Sequence, residues 1–191
     1  MLEGLFEWFQ AQGVIFTLLG MFLIVLMDST VFPVLPELFA VLVFTADPSL
    51  GLGLMMMAAI CVAEITGNTL LYSLVKWKRL PDIIEKAMKR WTGFLIVSDE
   101  RIILVNRFAP IVPYSGAFIA TCGWNYRKSM LYLAAGCLAK YSALFALVGF
   151  FNYQFDRGTA QMVSIAAVIT VIALSLLASH IYRKRNAKPP E

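Results

Sequence analysis

Histidine occurs once in the 191 residues, cysteine three times, and charged residues make up only 15% of the chain. These scarcities exclude a good deal. Cys61, Cys122 and Cys137 are odd in number, stand in or beside apolar sequence and have no metal-ligand spacing, so they read as small buried hydrophobes. His180 has no second ligand near it in sequence. There is no nucleophile elbow, no zinc motif and no phosphate-cradling glycine loop, since Gly51-Leu-Gly53 is too short to count. Enzymatic chemistry is therefore disfavoured, and no metal, cofactor or nucleic-acid partner is expected.

What the chain has instead is apolar length. Hydrophobic residues make up 60% of it and the mean hydropathy is +0.75, too apolar for a soluble domain of this size. Long, nearly uncharged runs at 13–30, 51–75, 129–151 and 161–182 each approach the roughly 20 residues that cross a hydrocarbon core. The expected class is an all-α integral membrane protein, a single membrane domain with four full spans. Glu3 and Glu7 precede the first run without any basic residue or cleavage pattern, so that run is expected to stay as a span rather than leave as a signal peptide.

The placement of the 16 Lys and Arg residues orients the spans. Seven fall between Lys76 and Arg101, and Arg183, Lys184, Arg185 and Lys188 form a basic tail, so 76–101 and 183–191 are expected in the cytoplasm. Within the first of these, Ile83, Ile84, Ala87, Met88 and Trp91 share one helical face opposite Asp82, Glu85, Lys86, Lys89 and Arg90. Such a helix either lies on the inner surface or packs against the protein. Trp8, Trp77, Trp91 and Trp124 flank spans, as interfacial aromatics do. If Arg101 and the tail share a side, the chain between them crosses an even number of times, yet it contains three apolar segments. The segment 102–123 carries Arg107, Pro110 and Pro113, and it is the natural re-entrant hairpin. By the same logic 31–46, with Pro33, Pro36 and Glu37, re-enters from outside, which puts both termini in the cytoplasm.

The two hairpin-plus-span units then enter from opposite sides, an inverted repeat. Glu64 follows Pro36 by 28 residues and Lys140 follows Pro113 by 27, both in mid-span. Two Pro-x-x-Pro matches can arise by chance, but inverted repeats with interrupted helices point to a transporter whose site lies near the bilayer midplane. Proline removes a backbone donor, and freed backbone groups are tolerated at depth only where they line a polar cavity or are buried in protein.

The order Asp28, Pro33, Pro36, Glu37, then Glu64-Ile-Thr-Gly67-Asn68 with Tyr72, then Arg107-Phe-Ala-Pro110-Ile-Val-Pro113, resembles the DedA superfamily of SNARE-associated Golgi, or VTT-domain, proteins over residues 13 to 151. Pro113 stands where many bacterial members carry a second arginine, and Val75 where a glycine is common; the Arg-x-x-Pro-x-x-Pro form is nearer the scramblase-like branch. The resemblance implies a flippase or scramblase that moves phospholipid or polyprenyl-phosphate headgroups between leaflets. It also implies that Asp28, Glu37, Glu64, Asn68, Tyr72 and Arg107 belong to the translocation site, and Lys140 joins them by its mid-span place in the second unit.

The chemistry of these residues suits that role, because a guanidinium at depth holds a phosphate bidentately and the N–H groups of a broken helix add to it. Duller alternatives stay open: Glu64 and Lys140 pairing as a structural bridge, and Asp28 as an ordinary helix-end residue. Two other functions remain as well, a proton-coupled exporter of small ions or drugs titrating on Glu37 and Glu64, and a non-transporting scaffold. The partners expected are membrane lipids, their phosphate headgroups and protons, with homo-oligomerisation left open.

Overall fold

The computed structural model describes residues 13–30, 34–77, 100–107 and 114–186, and every regular element among them is a helix. In chain order these are α1 (Gly13–Thr30), α2 (Pro36–Ala46), α3 (Leu50–Lys76), α4 (Ile102–Asn106), α5 (Ser115–Thr121), α6 (Tyr126–Gln154) and α7 (Arg157–Asn186). Of these, α1, α3 and α6 are long and apolar enough to cross a membrane. The expected runs at 13–30, 51–75 and 129–151 coincide with them to within a few residues, and 161–182 lies inside α7, whose stretch Gly158–Val171 is apolar. The protein is thus an all-helical membrane protein. Pro33, Pro110 and Pro113, the amphipathic stretch from 78 to 99 and the end of the tail from 187 lie outside the described residues.

Local chemistry sets the helix ends. Ser49 caps α3 by accepting the Leu52 N–H at 3.3 Å, Asn125 caps α6 by accepting from Lys128 at 3.1 Å, and Asp156 caps α7 through Thr159. Pro36 opens α2 at a position where its missing N–H costs nothing. Only 11 residues long, α2 rises about 16 Å, half of a hydrocarbon core. The helices α4 and α5 are shorter still. Gly123, at φ +67°, ends α5 in the left-handed conformation, so that the Trp124 N–H returns to the Ile119 carbonyl. Tyr114 begins α5 at φ 54°, a conformation that a side chain with a Cβ rarely adopts.

Two hydrogen bonds tie the segment around α4 and α5 together. Asn106 Nδ2 donates to Ser115 Oγ at 3.2 Å across its inner end, and the Asn125 N–H donates to Glu100 Oε1 at 3.1 Å across its outer end. The residues just before α4 and just after α5 therefore sit side by side.

The long helices α3 and α6 run antiparallel. The Tyr72 and Tyr126 rings pack at a tilt with centroids 4.8 Å apart, Cys61 meets Cys137, and Ser142 Oγ reaches Met57 Sδ at 3.8 Å, so positions rise along one helix as they fall along the other. On this pair α5 packs against α3, whereas α2 packs against α6 and α7. Two apolar clusters result. One joins α1, α2, α3, α6 and α7 through Met21, Val41, Phe44, Met56, Ile60 and Tyr141. The other joins the C-terminal part of α3 to α4, α5 and the start of α6 through Leu71, Ile103, Phe118 and Leu133. Ile15, Leu54, Val62, Leu131 and Phe150 stay exposed on the outer faces, where lipid would solvate them.

Candidate functional site

Along α3, Ile60 and Ala63 belong to the first apolar cluster and Leu71 to the second; Glu64 and Asn68, both buried, lie between them. An ionised carboxylate here needs partners, and Glu64 has two. Its Oε1 accepts from Arg107 Nη1, and its Oε2 accepts from Asn68 Nδ2 at 3.3 Å. Arg107 ends α4, so the guanidinium reaches Glu64 from the point where that helix breaks. Arg107 Nε is also buried and has no hydrogen-bond partner among the described residues.

Asn68 does more than neutralise a lone pair. Its Nδ2 also donates to the Glu64 carbonyl at 2.9 Å, and its Oδ1 accepts the Gly116 N–H at 2.9 Å, tying the first turn of α5 to α3. Glycine is required at 116, because a Cβ there would lie 2.1 Å from the Asn68 carbonyl oxygen. Gly136 on α6 serves a related purpose, since a Cβ would press against Arg107 Cγ at 2.7 Å.

A second ion pair joins α6 to α2. Lys140 on α6 donates to Glu37 Oε1 in the first turn of α2, with its Nζ 5.6 Å from the centroid of the Tyr141 ring. This pair is the more open of the two: side-chain exposures are 30% and 13% for Lys140 and Glu37, against 14% and 4% for Arg107 and Glu64. The possibility that Glu64 and Lys140 pair with each other is not realised. Each instead takes the charge of the broken segment packed on its own helix, Glu64 with Arg107 and Lys140 with Glu37. Two mid-span residues on neighbouring antiparallel helices meet only where their own faces meet, and here that place is occupied by Cys61 and Cys137, one turn earlier on each helix.

The remaining expected residues divide. Asp28 accepts the Val34 N–H at 2.9 Å and so links the end of α1 to the residues just before α2, close to the helix-end role open to it from sequence. Tyr72 lies two turns beyond Glu64 on α3, packed against Tyr126, with Lys76 Nζ 5.8 Å from its ring centroid. It is held with the aromatic end of the interface rather than with the ion pairs.

The cysteine contact was missed in the sequence, although a signal for it is present. Ala58-Ala-Ile-Cys-Val-Ala-Glu64 and Ala134-Ala-Gly-Cys-Leu-Ala-Lys140 repeat Ala-Ala-x-Cys-x-Ala before each mid-span charge, 76 positions apart. Compared with known proteins, the chain matches no family model, no curated protein and no solved structure.

Proposed function

We propose that the protein is a membrane lipid transporter, a flippase or scramblase of the DedA type, in which Arg107 holds the phosphate of a phospholipid or polyprenyl-phosphate headgroup as it passes between leaflets. The observation that carries this is Arg107 itself, a largely buried guanidinium at the end of α4, holding Glu64 by one nitrogen while its buried Nε has no partner among the described residues. A phosphate presents several acceptors to such a fork and competes directly with the Glu64 carboxylate. Glu64 then serves as the resting counter-ion, and Asn68 keeps it in place while Arg107 is on the substrate.

The inverted repeat frames this site. Its support is the crossed packing: the short helix after each Pro-x-x-Pro region lies on the long helix of the other unit, α2 on α6 and α5 on α3. Both ion pairs cross in the same way. In a two-fold arrangement equivalent residues touch only on the axis, and Cys61 and Cys137 occupy equivalent places in the repeated motif. The hydrogen bond from Asn125 to Glu100 supports 102–123 as a re-entrant hairpin that enters and leaves at one level. With 31–46 re-entering from the opposite face and α7 as the fourth span, both termini fall in the cytoplasm. Single cysteines at Ser98 and Asn125, in a chain freed of its native cysteines, should then be labelled by an impermeant reagent only after the membrane is opened. Labelling of the two from opposite sides removes the hairpin.

The functional test is lipid transfer in reconstituted vesicles. Arg107→Lys keeps a cation but loses the planar fork, so transfer should fall. The double variant Arg107→Gln/Glu64→Gln leaves no stranded charge, and transfer should be lost in a protein that still folds. Wild-type rates in that folded double variant would remove the headgroup role. The exporter reading is favoured by one observation: among the described residues the three carboxylates Asp28, Glu37 and Glu64 face two cations, and Asp28 is paired there only to a backbone N–H. Glu37→Gln separates the two, since it should abolish an exporter titrating there and only weaken passive scrambling.

A further inference from the structure

Cys61 and Cys137 are the only two cysteines whose sulfurs meet among the described residues, and neither has a part in the ion pairs. Their Sγ atoms are 3.5 Å apart, both are free thiols, Cys137 is 1% exposed and Cys61 is half-buried. They come from α3 and α6, at the same place in the repeated Ala-Ala-x-Cys-x-Ala motif, one helical turn before Glu64 and Lys140. Cys122 follows α5 and packs with the second apolar cluster, apart from the pair.

We propose that Cys61 and Cys137 form a redox modification site, a dithiol that is oxidised to a disulfide joining α3 to α6. A disulfide needs the sulfurs about 2.05 Å apart, so they must approach by roughly 1.5 Å, a movement on the scale of side-chain adjustment. In the reaction both S–H bonds break and one S–S bond forms. The two electrons and two protons released reduce a lipid-soluble quinone to its quinol, which balances the step without another reactant. The oxidant class follows from the surroundings: Ile60, Met56 and Ala63 line the first cluster at this level, and the neighbouring Val62 is exposed on an apolar outer face. An apolar oxidant reaches such a place from the bilayer, whereas a hydrated one does not. The bond ties together the two helices that carry Glu64 and Lys140, and so restrains any movement of one half against the other.

The test uses the full chain in lipid vesicles, with Cys122→Ser so that every thiol counted belongs to the pair, and a short-chain benzoquinone as the oxidant. Both thiols should disappear together, with loss of two hydrogens in the intact mass and a cross-linked peptide containing 61 and 137, and a reductant should restore them. Thiols that remain free, or a bond that joins two separate chains instead, would overturn the proposal. Cys61→Ser should leave Cys137 as a single free thiol under the same treatment; a bond still forming there would equally overturn it. The restraint rests on the transport reading and is measured apart: lipid transfer should be lost on oxidation and return on reduction, and unchanged transfer in fully bonded protein would overturn it. Absence of transfer from reduced wild type would sink the transport reading, while thiol counting and mass still decide the disulfide.

Discussion

The two halves of the chain carry opposite charge. From Gly13 to Val75 every charged residue is acidic, namely Asp28, Glu37, Asp47 and Glu64; from Ile102 to Gln154 every one is basic, namely Arg107, Arg127, Lys128 and Lys140. Neither half can therefore neutralise its own embedded charges. Among the described residues each embedded carboxylate that has a cation takes it from the other half, Glu37 from Lys140 and Glu64 from Arg107. Ion pairs away from water contribute little net stability but are costly to break, so their main effect is to specify which surfaces meet. Opposite charge makes the crossed arrangement the one in which Glu37, Glu64, Arg107 and Lys140 all find partners.

The largest effect should come from breaking the more buried of these pairs. Glu64→Leu strands Arg107 and removes one of the two acceptors of Asn68 Nδ2, and should cost about 3–5 kcal/mol. Glu37→Leu strands a lysine that is 30% exposed, which can turn its ammonium toward water, so the loss should stay below about 3 kcal/mol. The exchange Glu64→Arg with Arg107→Glu should recover part of the first loss, because the pair is restored with its halves reversed. Chemical unfolding in detergent measures all three. Equal losses at the two pairs would break the distinction between them, and losses that simply add in the exchanged protein would show that the residues do not couple.

A smaller effect is expected where the second half touches the first through backbone alone. Gly116→Ala places a methyl 2.1 Å from the Asn68 carbonyl oxygen, and since the obstacle is backbone it cannot swing aside. Overpacking of this kind costs about 1–3 kcal/mol. It should also loosen the Gly116 to Asn68 hydrogen bond and, through Asn68, the position of Glu64. Gly149→Ala on α6 meets nothing within 4 Å and is the control, expected to be neutral or stabilising by up to about 1 kcal/mol through helix propensity. Thermal unfolding of the two variants side by side checks the contrast. Equal behaviour would mean that α5 is not held tightly on α3.

Much of this was legible in the residues. Uninterrupted apolar length located α1, α3 and α6, and a charge beside a Pro-x-x-Pro marked Glu37 and Arg107 as the groups in need of partners. The partners themselves were not legible. Periodicity says which face a residue shares on its own helix, but not which helix that face meets, so Glu64 and Lys140 looked like a natural couple when each belongs to a neighbouring broken segment. Asn68 was flagged only through the family resemblance, since an isolated asparagine in a span has many possible uses. Its bond to Gly116 depends on how closely α5 approaches, and that distance is set by a glycine 48 residues away. The cysteine pair was hidden for a different reason. Three thiols scattered through apolar sequence look like packing, and only alignment of the two repeated motifs places two of them at equivalent positions.

The smallest effect is expected at a carboxylate outside both halves, and it sharpens the comparison because the residue type is the same and the setting opposite. Asp156 begins α7 in the open. It accepts the Thr159 hydroxyl at 2.7 Å and the Thr159 N–H at 3.1 Å, and these bonds, the hydroxyl first, hold its carboxyl below the ordinary value of 3.8. A carboxyl whose value is lowered in the folded chain contributes stability that is fully present above the unfolded value. That contribution is lost as pH falls through the lower, folded one. Thermal unfolding of wild type should thus lose a small increment in acid that Asp156→Asn does not lose, since the amide still accepts from Thr159 but does not titrate. At neutral pH the two should differ little, whereas Asp156→Ala should be less stable than either. The quantity to follow is the difference between wild type and Asp156→Asn across pH, which removes the titration of every other carboxylate. A difference that stays flat into the acid range would mean that the Thr159 contacts do not favour the ionised form, and that the start of α7 is fixed by its packing on α2 and α6 instead.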